Sequence, residues 1–74
     1  MQYSQVRGFI KQAIARIDKV KKYVWHMSPD IYWQLSFDRM FVTNEEGQIV
    51  MSGFPVTTIP GKKHYIELKE KSLE

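Results

Sequence analysis

The sequence predicts an α+β fold in which one long N-terminal helix packs on a three-stranded antiparallel β-meander, and it predicts that two such chains form a homodimer. Three observations support this prediction. Apolar residues recur every three or four positions in the first third of the chain, and they alternate at every second position afterwards. The predicted sheet also carries more apolar residues than one helix can cover.

The helix is predicted over residues 4–27 by a seam of apolar side chains at helical spacing. Pro29 ends it, because proline cannot continue the ladder of backbone hydrogen bonds. Apolar flanks at Phe9, Ile14 and Tyr23 widen the stripe beyond the two columns of a coiled coil, which favours a helix lying across a sheet. The seam consists of Tyr3, Val6, Ile10, Ala13, Ile17, Val20, Val24 and Met27.

The first strand is predicted over residues 31–43, because apolar and polar residues alternate there as on a strand with one buried face. The alternation breaks after Phe37. Either a β-bulge at Asp38-Arg39 moves Met40 and Val42 onto the core face, or both faces of the strand's far end are covered. The alternating apolar residues are Ile31, Trp33, Leu35 and Phe37.

Two further strands complete the predicted meander. The segment 44–47 has the composition of a hairpin loop, with Gly47 able to adopt the left-handed conformation that closes it. The return strand is predicted over residues 48–54, and Pro60-Gly61 favours a turn before a last strand over residues 63–69. In that last strand His64, Ile66 and Leu68 are predicted to face the helix.

Size limits what the chain can bury on its own. A single domain of 74 residues buries only about 60% of its unfolded surface and needs further stabilisation. The chain has no cysteine for a disulfide, so oligomerisation is the expected source. The polar N-terminus and the lack of a long apolar run predict a cytoplasmic protein without a targeting or membrane segment. Leu73-Glu74 is interpreted as a remnant of an expression tag.

The predicted interface is the sheet face that the helix leaves bare, together with the aromatic corner between helix and sheet. Large contiguous apolar patches on small proteins usually mark interaction surfaces. Aromatic residues at such a corner either fill the core or anchor a partner. The residues predicted to lie at the dimer interface or partner surface are Tyr32, Trp33, Met40, Phe41, Val42, Met51 and Phe54.

Charge is distributed unevenly along the chain. The first 27 residues carry six basic side chains against Asp18 alone, whereas the remainder has five basic and seven acidic residues. A basic helix either is simply solvated or meets an anionic partner, and the second reading predicts weak, sequence-nonspecific binding of nucleic acid. The residues predicted for that alternative function are Lys11, Arg16, Lys19, Lys22, Lys62 and Lys63.

The order of one long helix and three strands in a chain of 74 residues resembles the Yopt family of small uncharacterised bacterial proteins associated with prophage genes. The resemblance covers essentially the whole chain and implies a homodimer of one-helix, three-strand subunits. It implies no activity, and the distinctive segment from Trp25 to Trp33 carries no motif with a known function. Together with the apolar surface, it predicts a protein-interaction or regulatory module of prophage origin.

Catalysis and cofactor chemistry are not predicted. Serine, aspartate and glutamate are present, but none lies in the sequence context of a nucleophile, a paired acid or a phosphate-binding loop. His26 and His64 are the only imidazoles, and their spacing does not indicate a metal site. The sequence therefore predicts a binding protein that is not an enzyme and has no cofactor.

Overall fold

A computed structural model describes residues 3–71, with side chains from Ser4 onward. The fold is α+β, with two helices and a five-stranded mixed sheet. In chain order the elements are α1 (Tyr3–Arg16), β1 (Tyr23–Met27), α2 (Pro29–Phe37), β2 (Val42–Thr43), β3 (Ile49–Met51), β4 (Phe54–Thr58) and β5 (Ile66–Glu70). The prediction of one helix on a three-stranded antiparallel meander is therefore wrong.

The sheet has the strand order β2-β3-β4-β1-β5. Strand β1 lies between β4, which runs parallel to it, and β5, which runs antiparallel. Strands β4, β3 and β2 form an antiparallel meander that extends the sheet from β1 to its other edge. The parallel β1–β4 pair requires a long crossover, and α2 together with the β2–β3 hairpin supplies it.

Both helices contribute side chains to a single core on one face of the sheet. Val6 and Ile10 from α1 and Leu35 from α2 join Trp25 and Met27 of β1 in one buried cluster. Because side chains alternate along a strand, Val24 and His26 of β1 point to the opposite face. That face is only half-buried at both residues, so the molecule is a two-layer arrangement with one open sheet face.

The predicted helix over residues 4–27 is wrong beyond Arg16. Asp18 reorganises the chain there: its carboxylate accepts the Val20 N–H at 3.1 Å, and its carbonyl accepts the Lys21 N–H at 3.0 Å. Aspartate competes with helical hydrogen bonding in this way. Tyr23–Met27 then forms an interior strand of the sheet, with two long-range strand partners. Val20, expected in the buried seam, is 88% exposed.

The predicted strand over residues 31–43 is also wrong, because Pro29–Phe37 is helical. Pro29 occupies the start of the helix, where its missing N–H costs nothing and its fixed φ suits the first turn. The helix ends at Asp38-Arg39, with Arg39 in the left-handed conformation at φ 58° and Met40 donating its N–H to the Leu35 carbonyl at 3.1 Å. The break after Phe37 is thus a helix end, and neither the bulge nor the doubly covered strand occurs.

The hairpin loop at 44–47 is confirmed. Asn44 Oδ1 accepts the N–H groups of Glu46 and Gln48, each at 2.9 Å, and Gly47 has a φ of 81°. The return strand predicted over residues 48–54 is wrong in extent. Ser52 and Gly53 have φ values of 53° and 87°, which identifies a tight turn between β3 and β4.

The last strand forms later than predicted, at Ile66–Glu70 rather than from residue 63. Ile66 and Leu68 face the core as expected. His64 does not face the helix; it lies in the preceding connection at a φ of 53° and is exposed. Within residues 3–71 no helix is long and apolar enough to cross a bilayer. The interpretation of Leu73-Glu74 as a tag remnant lies outside the described residues.

Candidate functional site

The outer face of α2 presents two large aromatic rings to solvent. In this helix Ile31 and Leu35 are buried on the inner face, whereas Trp33 is 62% and Phe37 78% exposed. The two exposed residues are four positions apart, so they lie one above the other on the same side of the helix. Their ring centroids are 6.4 Å apart with a tilt of 35°. We call Trp33 and Phe37 the α2 aromatic pair.

The other aromatic residues of the predicted interface point inward. Tyr32 and Phe41 contact each other with centroids 5.0 Å apart and pack, with Met40, against the core. Phe54 meets the ring of Tyr23 edge to face at 5.8 Å and is half-buried. Tyr32, Met40 and Phe41 fix α2 and the turn that follows it, so only their rims are available to a partner.

Met51 and Val42, also in the predicted interface, differ in exposure. Met51 is fully buried, and its carbonyl accepts the Trp25 indole N–H at 3.0 Å. Val42 is 62% exposed on the open sheet face, opposite Val50 on the neighbouring strand. Val50 is in turn paired with Pro55 but is itself only 8% exposed. Val42 is therefore the residue of the predicted interface that this sheet face exposes.

A polar cluster lies where β1 meets α2. Ser28 is fully buried, its N–H donates to the Tyr65 carbonyl at 2.8 Å, and its hydroxyl oxygen accepts the Tyr65 N–H at 3.0 Å. Asp30 accepts the backbone N–H of His64 at 3.1 Å and lies 3.2 Å from His64 Nδ1. A hydrogen bond from the Ser28 hydroxyl, followed by the backbone N–H of His64, lowers the pKa of Asp30 although partial burial opposes it.

This cluster contains serine, aspartate and histidine, but its geometry is structural. The Ser28 oxygen is engaged with Tyr65 and Asp30 and is closed off from solvent. Nucleophilic catalysis requires a serine that a histidine can deprotonate and that a substrate can reach. The cluster instead pins the β4–β5 connection to the first turn of α2.

The six basic residues predicted to bind nucleic acid are distributed over separate surfaces. Lys11 lines a cavity of about 420 Å³ beside α1, together with Arg7 and Met40. Lys22 lies just before β1, whereas Lys62 lies in the connection beyond its far end, with its ammonium group 4.2 Å from the centre of the Tyr65 ring. The five residues of β1 therefore separate Lys22 from Lys62. The remaining members are Arg16 at the end of α1, Lys19 in the turn after it, and Lys63 next to Lys62.

A smaller groove gathers basic and aromatic groups that the sequence did not bring together. Lys21, Lys22 and Lys71 surround the rings of Tyr23 and Phe54 in a groove of about 280 Å³. The Lys21 ammonium group lies 3.3 Å from the Glu70 carboxylate, which raises the pKa of Lys21. The Lys71 N–H donates to the Lys22 carbonyl at 2.7 Å, which holds the two chain segments side by side. Only Lys22 of this groove belongs to the predicted set.

Metal ligation has no local basis in the described part of the chain, where no three histidine, cysteine, aspartate or glutamate side chains converge. His26 lies on the open sheet face between Thr57 and Glu67. Glu67 accepts a hydrogen bond from the Tyr65 hydroxyl, which raises the pKa of Tyr65.

Phe37 is the functional candidate that the sequence missed. In a strand, Phe37 lies on the same buried face as Leu35, whereas in a helix Trp33 and Phe37 lie on the side opposite Leu35. Pro29, which favours a helix start, was the available signal.

No family model, curated protein or solved structure matches this chain.

Proposed function

We propose that this protein is a homodimeric protein-interaction module and that it binds its partner through the α2 aromatic pair. The observation that carries the proposal is the exposure of Trp33 and Phe37, at 62% and 78%, on a helix whose other side is fully buried. Neither ring is needed to close the core. Tryptophan is enriched among binding hot spots, and phenylalanine is enriched in interfaces relative to the rest of the protein surface.

The energetics favour a partner with an apolar cleft. Each ring can bury roughly 150–250 Å² of surface, and apolar burial contributes about 25 cal/mol per Å². Covering both rings therefore stabilises a complex by several kcal/mol before the cost of association. That cost is reduced because α2 is fixed to the core by Ile31 and Leu35. Residues four apart on a helix are the anchors that enter a partner's groove in helix-in-groove recognition.

The test compares the wild type with the double variant Trp33→Ala/Phe37→Ala. Val20→Ala is the matched control, because Val20 is an apolar residue that is 88% exposed away from α2. Proteins retained from the host cytoplasm by wild type and control are purified, and their affinities are measured by isothermal titration calorimetry. The double variant is expected to bind at least about tenfold more weakly, since each hot-spot ring contributes about 1.4 kcal/mol or more. Equal affinity of the double variant and the control for every such protein would refute the proposal.

A second candidate function is binding of single-stranded nucleic acid, which the groove at Lys21, Lys22 and Lys71 favours. Bases stack on aromatic rings such as Tyr23 and Phe54, while ammonium groups neutralise phosphates. Fluorescence anisotropy with a labelled oligonucleotide at two salt concentrations tests it. Lys22→Glu/Lys71→Glu is expected to abolish binding, and Lys11→Glu, outside the groove, is the control. Absence of wild-type binding at low salt excludes this function.

A further inference from the structure

Strand β5 presents an unpaired edge to solvent. The sheet order places β5 and β2 at the two margins of the sheet. Strand β2 is only two residues long, and such short edge strands limit pairing with another chain. Strand β5 has five residues and contains neither proline nor glycine. Within residues 3–71 no other strand pairs with its outer side.

The hydrogen bonds to β1 show which backbone groups of β5 are unpaired. Ser28 donates to the Tyr65 carbonyl at 2.8 Å, and Lys71 donates to the Lys22 carbonyl at 2.7 Å. Because hydrogen-bonded pairs alternate in an antiparallel ladder, the residues between these two contacts that face β1 are Glu67 and Lys69. The backbone groups of the intervening residues point away from the sheet; these are Ile66, Leu68 and Glu70.

The side chains on this edge are self-complementary. If a second copy pairs antiparallel about a two-fold axis at Leu68, then Ile66, Leu68 and Glu70 bond to Glu70, Leu68 and Ile66 of the partner subunit. Every outward backbone group of β5 is then satisfied. In the same register Glu67 lies opposite Lys69 of the partner subunit, and the pairing occurs twice by symmetry. Such directly opposed charges stabilise antiparallel strands.

The neighbouring registers are disfavoured. A shift by one residue would pair outward backbone groups with inward ones, which cannot bond. Moving the axis to Glu67 places two carboxylates opposite each other, and moving it to Lys69 places two ammonium groups opposite each other. Like charges directly across a strand pair are destabilising. The edge therefore selects both its partner, a second copy of this chain, and one register.

We propose that two copies associate through β5 in the register centred on Leu68, forming a continuous ten-stranded sheet. This inference rests on the homodimer included in the proposed function and specifies how it forms. The backbone pairing at β5 involves neither residue of the α2 aromatic pair, which belongs to a different element. Dimerisation and partner binding then use different elements of the fold.

Sedimentation equilibrium over a concentration series tests the register with charge variants. Glu67→Lys and Lys69→Glu each turn two attractive pairs into two repulsive ones and are expected to weaken dimerisation by about tenfold or more. An equimolar mixture of the two variants restores the opposed charges and is expected to dimerise like the wild type. The double variant Glu67→Lys/Lys69→Glu is expected to do the same. It also lacks the Tyr65–Glu67 hydrogen bond, so its recovery separates charge pairing from a loss of fold.

Hydrogen exchange provides a second readout. The amides of Ile66, Leu68 and Glu70 are expected to become more protected as dimer forms, while those of Glu67 and Lys69 stay protected throughout by β1. A wild type that remains monomeric would overturn the self-association in the proposed function and this inference with it. A dimer that is indifferent to the charge variants, or that leaves the three outward amides unprotected, would overturn the β5 register alone.

Discussion

The two sides of α2 have similar composition and opposite roles. The inner side carries Ile31 and Leu35, at 1% and 0% exposure, and the outer side carries Trp33 and Phe37, at 62% and 78%. All four residues are large and apolar, so hydrophobicity does not distinguish them. Position on the helix does: the inner pair faces the core beneath Trp25 and Met27, and the outer pair faces solvent. Substitutions on the two sides should therefore separate stability from binding.

The largest effect is expected for Leu35→Ala on the inner side. Leu35 is fully buried in the core cluster, so truncation removes apolar contacts and leaves a cavity. Chemical denaturation is expected to show a loss of about 2–5 kcal/mol in the free energy of unfolding. A loss as small as that of an exposed substitution would show that the inner side of α2 does not pack as described.

Ser28→Ala tests the attachment of the first turn of α2. The substitution leaves the part-buried Tyr65 N–H without its acceptor, the Ser28 hydroxyl oxygen at 3.0 Å. The expected cost is about 1–3 kcal/mol, measured by denaturation. Hydrogen exchange should show faster exchange of the Tyr65 amide in this variant. Unchanged stability together with an unchanged Tyr65 amide would contradict the pinning role of Ser28.

The pH dependence of the free energy of unfolding tests the lowered pKa of Asp30. Its pKa is lowered in the folded state, chiefly by the Ser28 hydroxyl, so folding favours the charged carboxylate. This stabilisation is present above the unfolded pKa of about 4 and is lost as the pH falls through the folded pKa. Asp30→Asn should therefore lose less stability than the wild type between about pH 5 and pH 2. Parallel stability curves for the two proteins would contradict the assignment.

The smallest stability effect is expected on the outer side of α2. Trp33→Ala and Phe37→Ala should each change the free energy of unfolding by about 0.5 kcal/mol or less, because both side chains are largely exposed. Thermal denaturation measures this directly. A large destabilisation by either substitution would mean that the outer rings support the fold.

The features that the sequence predicted correctly are local. The Asn44–Gly47 loop follows from the asparagine side chain and a glycine at positive φ, and both act within a few residues. Ile66 and Leu68 were assigned to the core face by a clean alternation. In each case the neighbouring residues alone determine the conformation.

The features that the sequence missed depend on distant partners. Val20, Val24 and Met27 have helical spacing, yet Val24 and Met27 lie in a strand, because β4 and β5, some thirty to fifty residues later, pair with that strand. In α2 the alternation of residues 31, 33, 35 and 37 fits a strand equally well as two pairs spaced by four on a helix. Of the α2 aromatic pair, Trp33 was among the predicted partner residues. Phe37 was not, because the strand prediction placed it on the buried face.

Acrylamide quenching of tryptophan fluorescence tests most directly whether α2 presents its outer side. The chain has two tryptophans, of which Trp25 is fully buried and Trp33 is 62% exposed. The wild type is expected to show one accessible and one inaccessible component, and Trp33→Phe only the inaccessible one. Two inaccessible tryptophans in the wild type would contradict the presentation of Trp33 and, with it, the proposed binding surface.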